Sequence, residues 1–199
     1  MMRSLSFLFG LIFVFTLDSA QSQNATEEHF MAPNPAQLEG QAAEDVYLKL
    51  LDAMTEGYRL SRRSTAEDYL DWKRYNTAPY RSATHGRRFV NNYANMISKD
   101  YAKYEKAGEM PEGAVIAKDS FTVTEEGNVS PGPLFIMRKM QAGFNAASGD
   151  WRYSMIMPDG SFFGETNGEG AQQVKFCIGC HAAVKKNDHL FFVPDKYRK

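Results

Sequence analysis

Cysteine occurs only twice in this chain of 199 residues, at Cys177 and Cys180, and His181 follows directly. This C-x-x-C-H run constrains the fold more than any other feature, because three reactive side chains so close in sequence must converge on one object. A structural disulfide suits an exported protein but gives the adjacent histidine no reason to be there. A zinc site needs further ligands, and no other cysteine exists to supply them. A thioredoxin-like redox centre follows an early strand of a βαβ unit, whereas this motif stands near the C-terminal end. Haem attachment accounts for all three residues: the two thiols reach the two vinyl groups of one porphyrin, and the next side chain brings an imidazole under the iron. The motif occurs once, so the sequence predicts one covalent haem c, held by Cys177 and Cys180, with His181 as the metal ligand.

The opening residues point to the same compartment. Arg3 precedes an apolar run from Leu5 to Leu17, followed by small and polar residues. The pattern predicts a secretory signal peptide over 1–22 and an exported, periplasmic protein. A run of about 13 residues is too short to cross a hydrocarbon core of ~30 Å, and no cysteine follows it to carry a lipid. With 23 Lys and Arg against 24 Asp and Glu, no basic excess exists to draw the chain onto phosphate or anionic lipid, so nucleic-acid and membrane partners are excluded as expectations. The hydrophobic share of 43% is enough for one ordinary core.

Residues 23–79 read as an N-terminal tail followed by a helical extension. Tyr47, Leu50, Leu51, Met54 and Tyr58 recur at helical spacing and predict an amphipathic helix from about Ala36 to Arg62. A second helix is predicted by Phe89, Val90, Tyr93, Met96, Ile97, Tyr101 and Tyr104, capped near Thr84 and stopped at Gly108, with Met96 in its packed stripe. Beyond Gly113 the texture changes to strands, AVIAKDSFTVT, GPLFIMRKM and DWRYSMIM, then SFF after the Pro158-Asp159-Gly160 turn. Short turns between successive strands imply an antiparallel meander. The fold class is therefore α+β: an antiparallel sheet with flanking helices and a single c-type haem at the C-terminal end. Trp151, Tyr153, Met155 and Met157 share one strand face, which should pack on the helices or the haem.

The residue opposite His181 decides the function. His189 lies about 12 Å further along the same side if the helix continues. His85 at the start of the second helix and His29 in the polar tail read as capping or solvated side chains. Met137, Met140, Met155 and Met157 lie on strands and read as packing. Glu165, Glu169 and Gln172, in the loop before the motif, are candidates for proton transfer or hydrogen bonding, and none is assigned a catalytic role.

From about Tyr80 to Arg198 the chain resembles the cytochrome P460 family. The segments that carry the likeness are ATHGRRFVNNYAN, MPEGAVIAKDSF, GPLFIMRKM, GDWRYSMIMPDGS and FCIGCHAAV with DHLFF, in the family's order. The resemblance implies a haem domain over 80–199, a homodimer, and a five-coordinate haem with an open distal site. It also implies oxidation of hydroxylamine with a soluble electron-transfer partner, or binding of nitric oxide as in relatives similar to cytochrome c′-beta. Lys118, at the end of PEGAVIAK, resembles the lysine that members of the family join to the porphyrin edge. Independently, strand alternation sends Lys118 to the face of Ile116 and Ala114, which favours an inward amine. The alternative from another class is a low-spin periplasmic electron carrier whose sixth position is filled by methionine or histidine.

Overall fold

The structure, a computed structural model, describes Met31–Lys199; the expected signal peptide and His29 lie outside the described residues. Helix α1 spans Gly40–Arg59 and α2 Ser64–Asp68. The strands are β1 (Lys73–Arg74), β2 (Tyr80–Arg81), β3 (Phe89–Ala94), β4 (Val115–Val123), β5 (Val129–Pro131), β6 (Leu134–Lys139), β7 (Trp151–Ile156) and β8 (Phe162–Glu165). Helix α3 (Lys175–His181) follows and contains the cysteine motif. All the strands join one open antiparallel sheet in the order β1-β3-β4-β6-β7-β8, with β2 also on β3 and β5 also on β4. This is the α+β meander that the short turns predicted.

The sheet separates two cores. Helix α1 buries Ala43, Val46, Tyr47, Met54 and Tyr58, a stripe at helical spacing, against Phe89, Tyr93, Ala117, Phe121, Leu134 and Ile156. The helix is shorter at both ends than the predicted 36–62, because a separate 3-10 turn takes Pro35–Gln37. Its last turn meets the β7–β8 turn so closely that a Cβ on Gly57 would stand 1.9 Å from the Pro158 carbonyl oxygen, so only glycine fits there. On the opposite face, Val90, Ala94, Ile116, Met137, Trp151 and Tyr153 pack against Leu190 and Val193 of the C-terminal segment. The haem motif therefore lies on the face away from α1.

The predicted second helix is corrected: its first half is β3, and Met96–Lys106 after it is a kinked 3-10 segment. The six residues of β3 are buried on both sides, so apolar side chains were free to fall at spacings that mimic a helix. What ends the strand is Asn95, whose Oδ1 accepts from Ser98 N at 3.1 Å and from Val115 N at 3.0 Å. Met96, expected in a packed stripe, is 85% exposed.

β4 carries two adjacent ionisable residues on opposite faces. Lys118 points away from α1, and Asp119 points toward it, where Oδ2 accepts from Tyr47 Oη at 2.7 Å and Tyr69 Oη at 3.3 Å, and Oδ1 from Asn91 Nδ2 at 3.0 Å. Burial pushes the Asp119 carboxyl up to about 6 despite these donors. Since its folded value lies above the unfolded one, its contribution to stability is present below about pH 4 and is lost as pH rises through about 6, an effect of about 3 kcal/mol. Asp119→Asn is expected to remove that fall. Denaturant unfolding of both proteins between pH 4 and 7 checks this, and parallel pH profiles would refute it.

Candidate functional site

Helix α3 sits against the second core with His181 buried, Cys177 half-buried and Cys180 exposed. The two thiols are not joined to each other. His181 lies 4.8 Å, ring centre to ring centre, from Tyr153 and 5.1 Å from Phe191, which approaches edge-on. Its Nδ1 is 2.6 Å from the backbone oxygen of His189. A carbonyl only accepts, so Nδ1 carries the proton and Nε2 keeps its lone pair for a metal. Burial holds this imidazole down to about 4, so it is neutral and fit to ligate at neutral pH.

The carbonyl that orients His181 is itself fixed by strain. Asp188 and His189 both adopt left-handed backbone, with φ of 51° and 61°, at a cost of about 1 kcal/mol each. Three contacts hold them there. Asp188 Oδ1 pairs with Lys139 Nζ at 2.6 Å, Oδ2 accepts from Met110 N at 2.8 Å, and the Asp188 carbonyl accepts from Trp151 Nε1 at 2.8 Å. The role of His189 is thus played by its backbone; its side chain packs beneath Gly149, away from any ligating position.

A cavity of about 340 Å³ opens beside α3, lined by Cys177, Cys180 and His181 together. Its floor follows from strand register: Lys118 pairs with Phe135 and Phe135 with Met155, while Ile116 pairs with Met137 and Met137 with Tyr153. Met157, Phe163 and Phe191 extend the apolar wall, and Arg88 and His85 line it from the loop before β3. The Tyr153 hydroxyl is buried in this region without a hydrogen-bond partner among the described residues. Flat apolar walls, two thiols, an imidazole with a free nitrogen and an orphaned hydroxyl fit a porphyrin. Among the described residues no group of three or more His, Cys, Asp or Glu gathers as a metal cluster would.

Alternation placed Lys118 correctly. It is 6% exposed, lines the cavity, and its Nζ reaches the Phe191 carbonyl at 3.4 Å. Burial pushes its ammonium down to about 8, so a fraction of the amine is free base at neutral pH. Met137, Met155 and Met157 line the cavity and Met140 does not. Glu165, Glu169 and Gln172 are not brought to it: Glu165 lies 3.9 Å from Arg152, and Glu169 is an exposed partner of Arg63. His85 departs from its expected capping or solvated role. It belongs to the turn between β2 and β3 and enters the cavity, where burial, and then the charge of Lys118, push its imidazole down to about 2.

Asp188→Ala takes from the buried Lys139 its close, buried partner, leaves it the exposed Glu109 at 3.5 Å, and frees the strained turn. It is expected to lower stability by about 3 kcal/mol and, in haem-loaded protein, to weaken the iron–histidine stretch in resonance Raman spectra. An unchanged stretch would show that the turn does not position His181.

A family model for cytochrome P460 matches residues 66–192, well over half of the chain. It begins inside α2, so α1 lies outside the match although it shares a core with the sheet. No curated protein matches the chain. The motif, the cavity that gathers it and the extent of this match lead to one assignment: the chain belongs to the cytochrome P460 family and is a haem cytochrome.

Proposed function

We propose that the chain holds one haem c covalently through Cys177 and Cys180, with His181 on the iron, and that the opposite iron position takes a small nitrogen species, either hydroxylamine for oxidation or nitric oxide for binding. The observation that carries this reading is the free Nε2 of His181, in the same cavity as both thiols. When bound, the haem would supply a redox-active iron with one position for an exogenous ligand. The surrounding residues select what reaches it. Aromatic and methionine walls disfavour hydrated ions, and no carboxylate lines the cavity among the described residues. A small uncharged ligand loses far less hydration on entering than an ion would. If hydroxylamine is oxidised, its protons need an acceptor, and the part-neutral Lys118 is the basic group at hand, His85 being held too weakly basic to take them. Its electrons leave to a soluble partner. Export to the periplasm and a homodimer belong to the same proposal.

A second reading, a low-spin electron carrier, draws support from one specific feature, the histidine at position 85 within the cavity. Ferrous protein exposed to nitric oxide or carbon monoxide is expected to change its optical spectrum, and hydroxylamine turnover with an artificial electron acceptor separates oxidase from gas binder. A spectrum indifferent to both gases would remove the leading reading.

The inward, partly deprotonated Lys118 amine also supports a bond to the porphyrin edge, in which an N–H and a ring C–H would give way to a C–N bond and an added oxidant of the peroxide class would take up the two electrons and two protons. Peptide mapping is expected to find the porphyrin joining the Cys177–Cys180 peptide to the Lys118 peptide, and Lys118→Arg to part them. Haem extracted by acid acetone would contradict covalent attachment altogether.

A further inference from the structure

Four of the residues that line the cavity are exposed, and they mark where it meets solvent. Phe176, 55% exposed, and Cys180 stand at one rim, on α3; Thr84 and Gly86 stand at the other, on the turn between β2 and β3. The remaining lining residues are buried or half-buried. A porphyrin tethered through Cys180 therefore has its tethered edge at the surface, beside an uncovered aromatic ring.

Both rims are basic. The exposed Lys175 adjoins Phe176 and the exposed Arg87 adjoins Gly86, with Arg81 beside it, since Arg81 Nη1 donates to the Arg87 carbonyl at 3.4 Å. None of these three cations has an ion-pair partner among the described residues. The cause is visible in the sequence. In a chain with 23 basic and 24 acidic residues, no Asp or Glu occurs from Lys73 to Lys99 or from Gly170 to Asn187, the two stretches that form the rims. The nearest acidic residues before α3 are engaged elsewhere: Glu165 lies 3.9 Å from Arg152, and Glu169 lies 3.8 Å from Arg63.

We propose that this basic rim is where the soluble electron-transfer partner docks, and that the partner is a small one-electron carrier protein with carboxylates around its own cofactor edge. The proposal rests on haem attachment at Cys177 and Cys180, and it gives the partner a place and a charge. Electron tunnelling weakens steeply with distance, so the exposed, tethered edge is the shortest way out of the protein. One electron crosses in each encounter: ferrous iron becomes ferric, the carrier's ferric haem becomes ferrous, and no atom or proton is exchanged. An apolar centre inside a ring of cations suits such a transient complex, because the charges steer the approach while the small contact lets the product leave. An anionic bilayer would also attract cations. Three of them contribute only about 3 kcal/mol to holding it, too little for stable attachment without an inserted helix or a lipid.

Stopped-flow oxidation of the haem-loaded ferrous protein tests the site with two ferric probes, the acidic carrier cytochrome b5 and the basic carrier cytochrome c. The second-order rate with cytochrome b5 is expected to fall on the order of tenfold or more between about 10 mM and about 300 mM salt. At low salt it should fall about as far in the Lys175→Glu, Arg87→Glu double variant, whose changes lie at exposed, unpaired positions, whereas cytochrome c should react faster with the variant than with the wild type. Carbodiimide coupling to cytochrome b5 followed by peptide mapping should join its carboxylates to Lys175, a readout independent of turnover. Rates with cytochrome b5 that ignore salt and the double variant, or coupling spread evenly over the other lysines, overturn the proposal. So does salt-sensitive capture of the protein by phosphatidylglycerol vesicles with cytochrome b5 rates unchanged in the variant, which assigns the rim to a membrane. In all three cases nitric oxide binding or hydroxylamine turnover leaves the nitrogen-ligand reading standing. Salt- and variant-dependent rates in protein that does neither uphold the docking site and refute that reading, and protein that takes up no haem refutes both.

Discussion

The hydrogen bond from His181 Nδ1 to the carbonyl of His189 governs more of this molecule than its single pair of atoms suggests. It fixes the tautomer of the imidazole, and through Asp188 it ties α3 to three other parts of the chain: Lys139 at the end of β6, Trp151 at the start of β7, and Met110 in the segment before β4. The strained turn does not hold itself. A buried ion pair alone is weak support for stability, but here it is joined by an indole donor and a backbone donor on the same residue, and the three act together. Sheet and imidazole are therefore set by one knot, which converts the rigidity of a packed strand pair into the orientation of the His181 ring.

Much of this was legible in the sequence where local chemistry decides it. The motif at 177–181 stands out because its side chains are adjacent, and the meander is announced by turns such as Pro158-Asp159-Gly160 that leave no room for a crossover. Lys118 was readable from period-two alternation alone. The failures have three separate physical causes. β3 is buried on both faces, so its apolar residues carry no period that distinguishes strand from helix. Ser82, Thr84 and His85 form a hydrogen-bonded turn whose destination depends on β2 and β3 pairing, and nothing in their order shows that the turn overhangs the cavity. The part of His189 that matters is a backbone carbonyl, which every residue possesses.

The sheet keeps two chemically different interiors apart. Toward α1 it holds a carboxylate satisfied by tyrosines and an asparagine; toward α3 it holds an amine, two imidazoles and thiols among aromatic and methionine walls. Desolvation acts on both sides, in opposite senses for acid and base. It makes the Asp119 carboxyl a weaker acid, and it makes Lys118, His85 and His181 more readily neutral. A cavity whose imidazoles are uncharged and whose lysine is partly so turns lone pairs toward the place where iron would sit. That is the common requirement of ligation, proton acceptance and bond formation to a porphyrin edge.

The neighbouring placement of Lys118 and Asp119 on β4 has a consequence for how the chain finds its pairing. Sliding β4 by one residue against β3 and β6 would thrust the carboxylate among the thiols and imidazoles and drive the ammonium into a cage of tyrosine hydroxyls and an asparagine amide built to donate. Each misplaced charge would then lie in a poorly solvating interior without its partners. The dipeptide thus works as a two-sided error check: a misaligned sheet is penalised twice, on opposite faces, before any cofactor has arrived to reward the correct one.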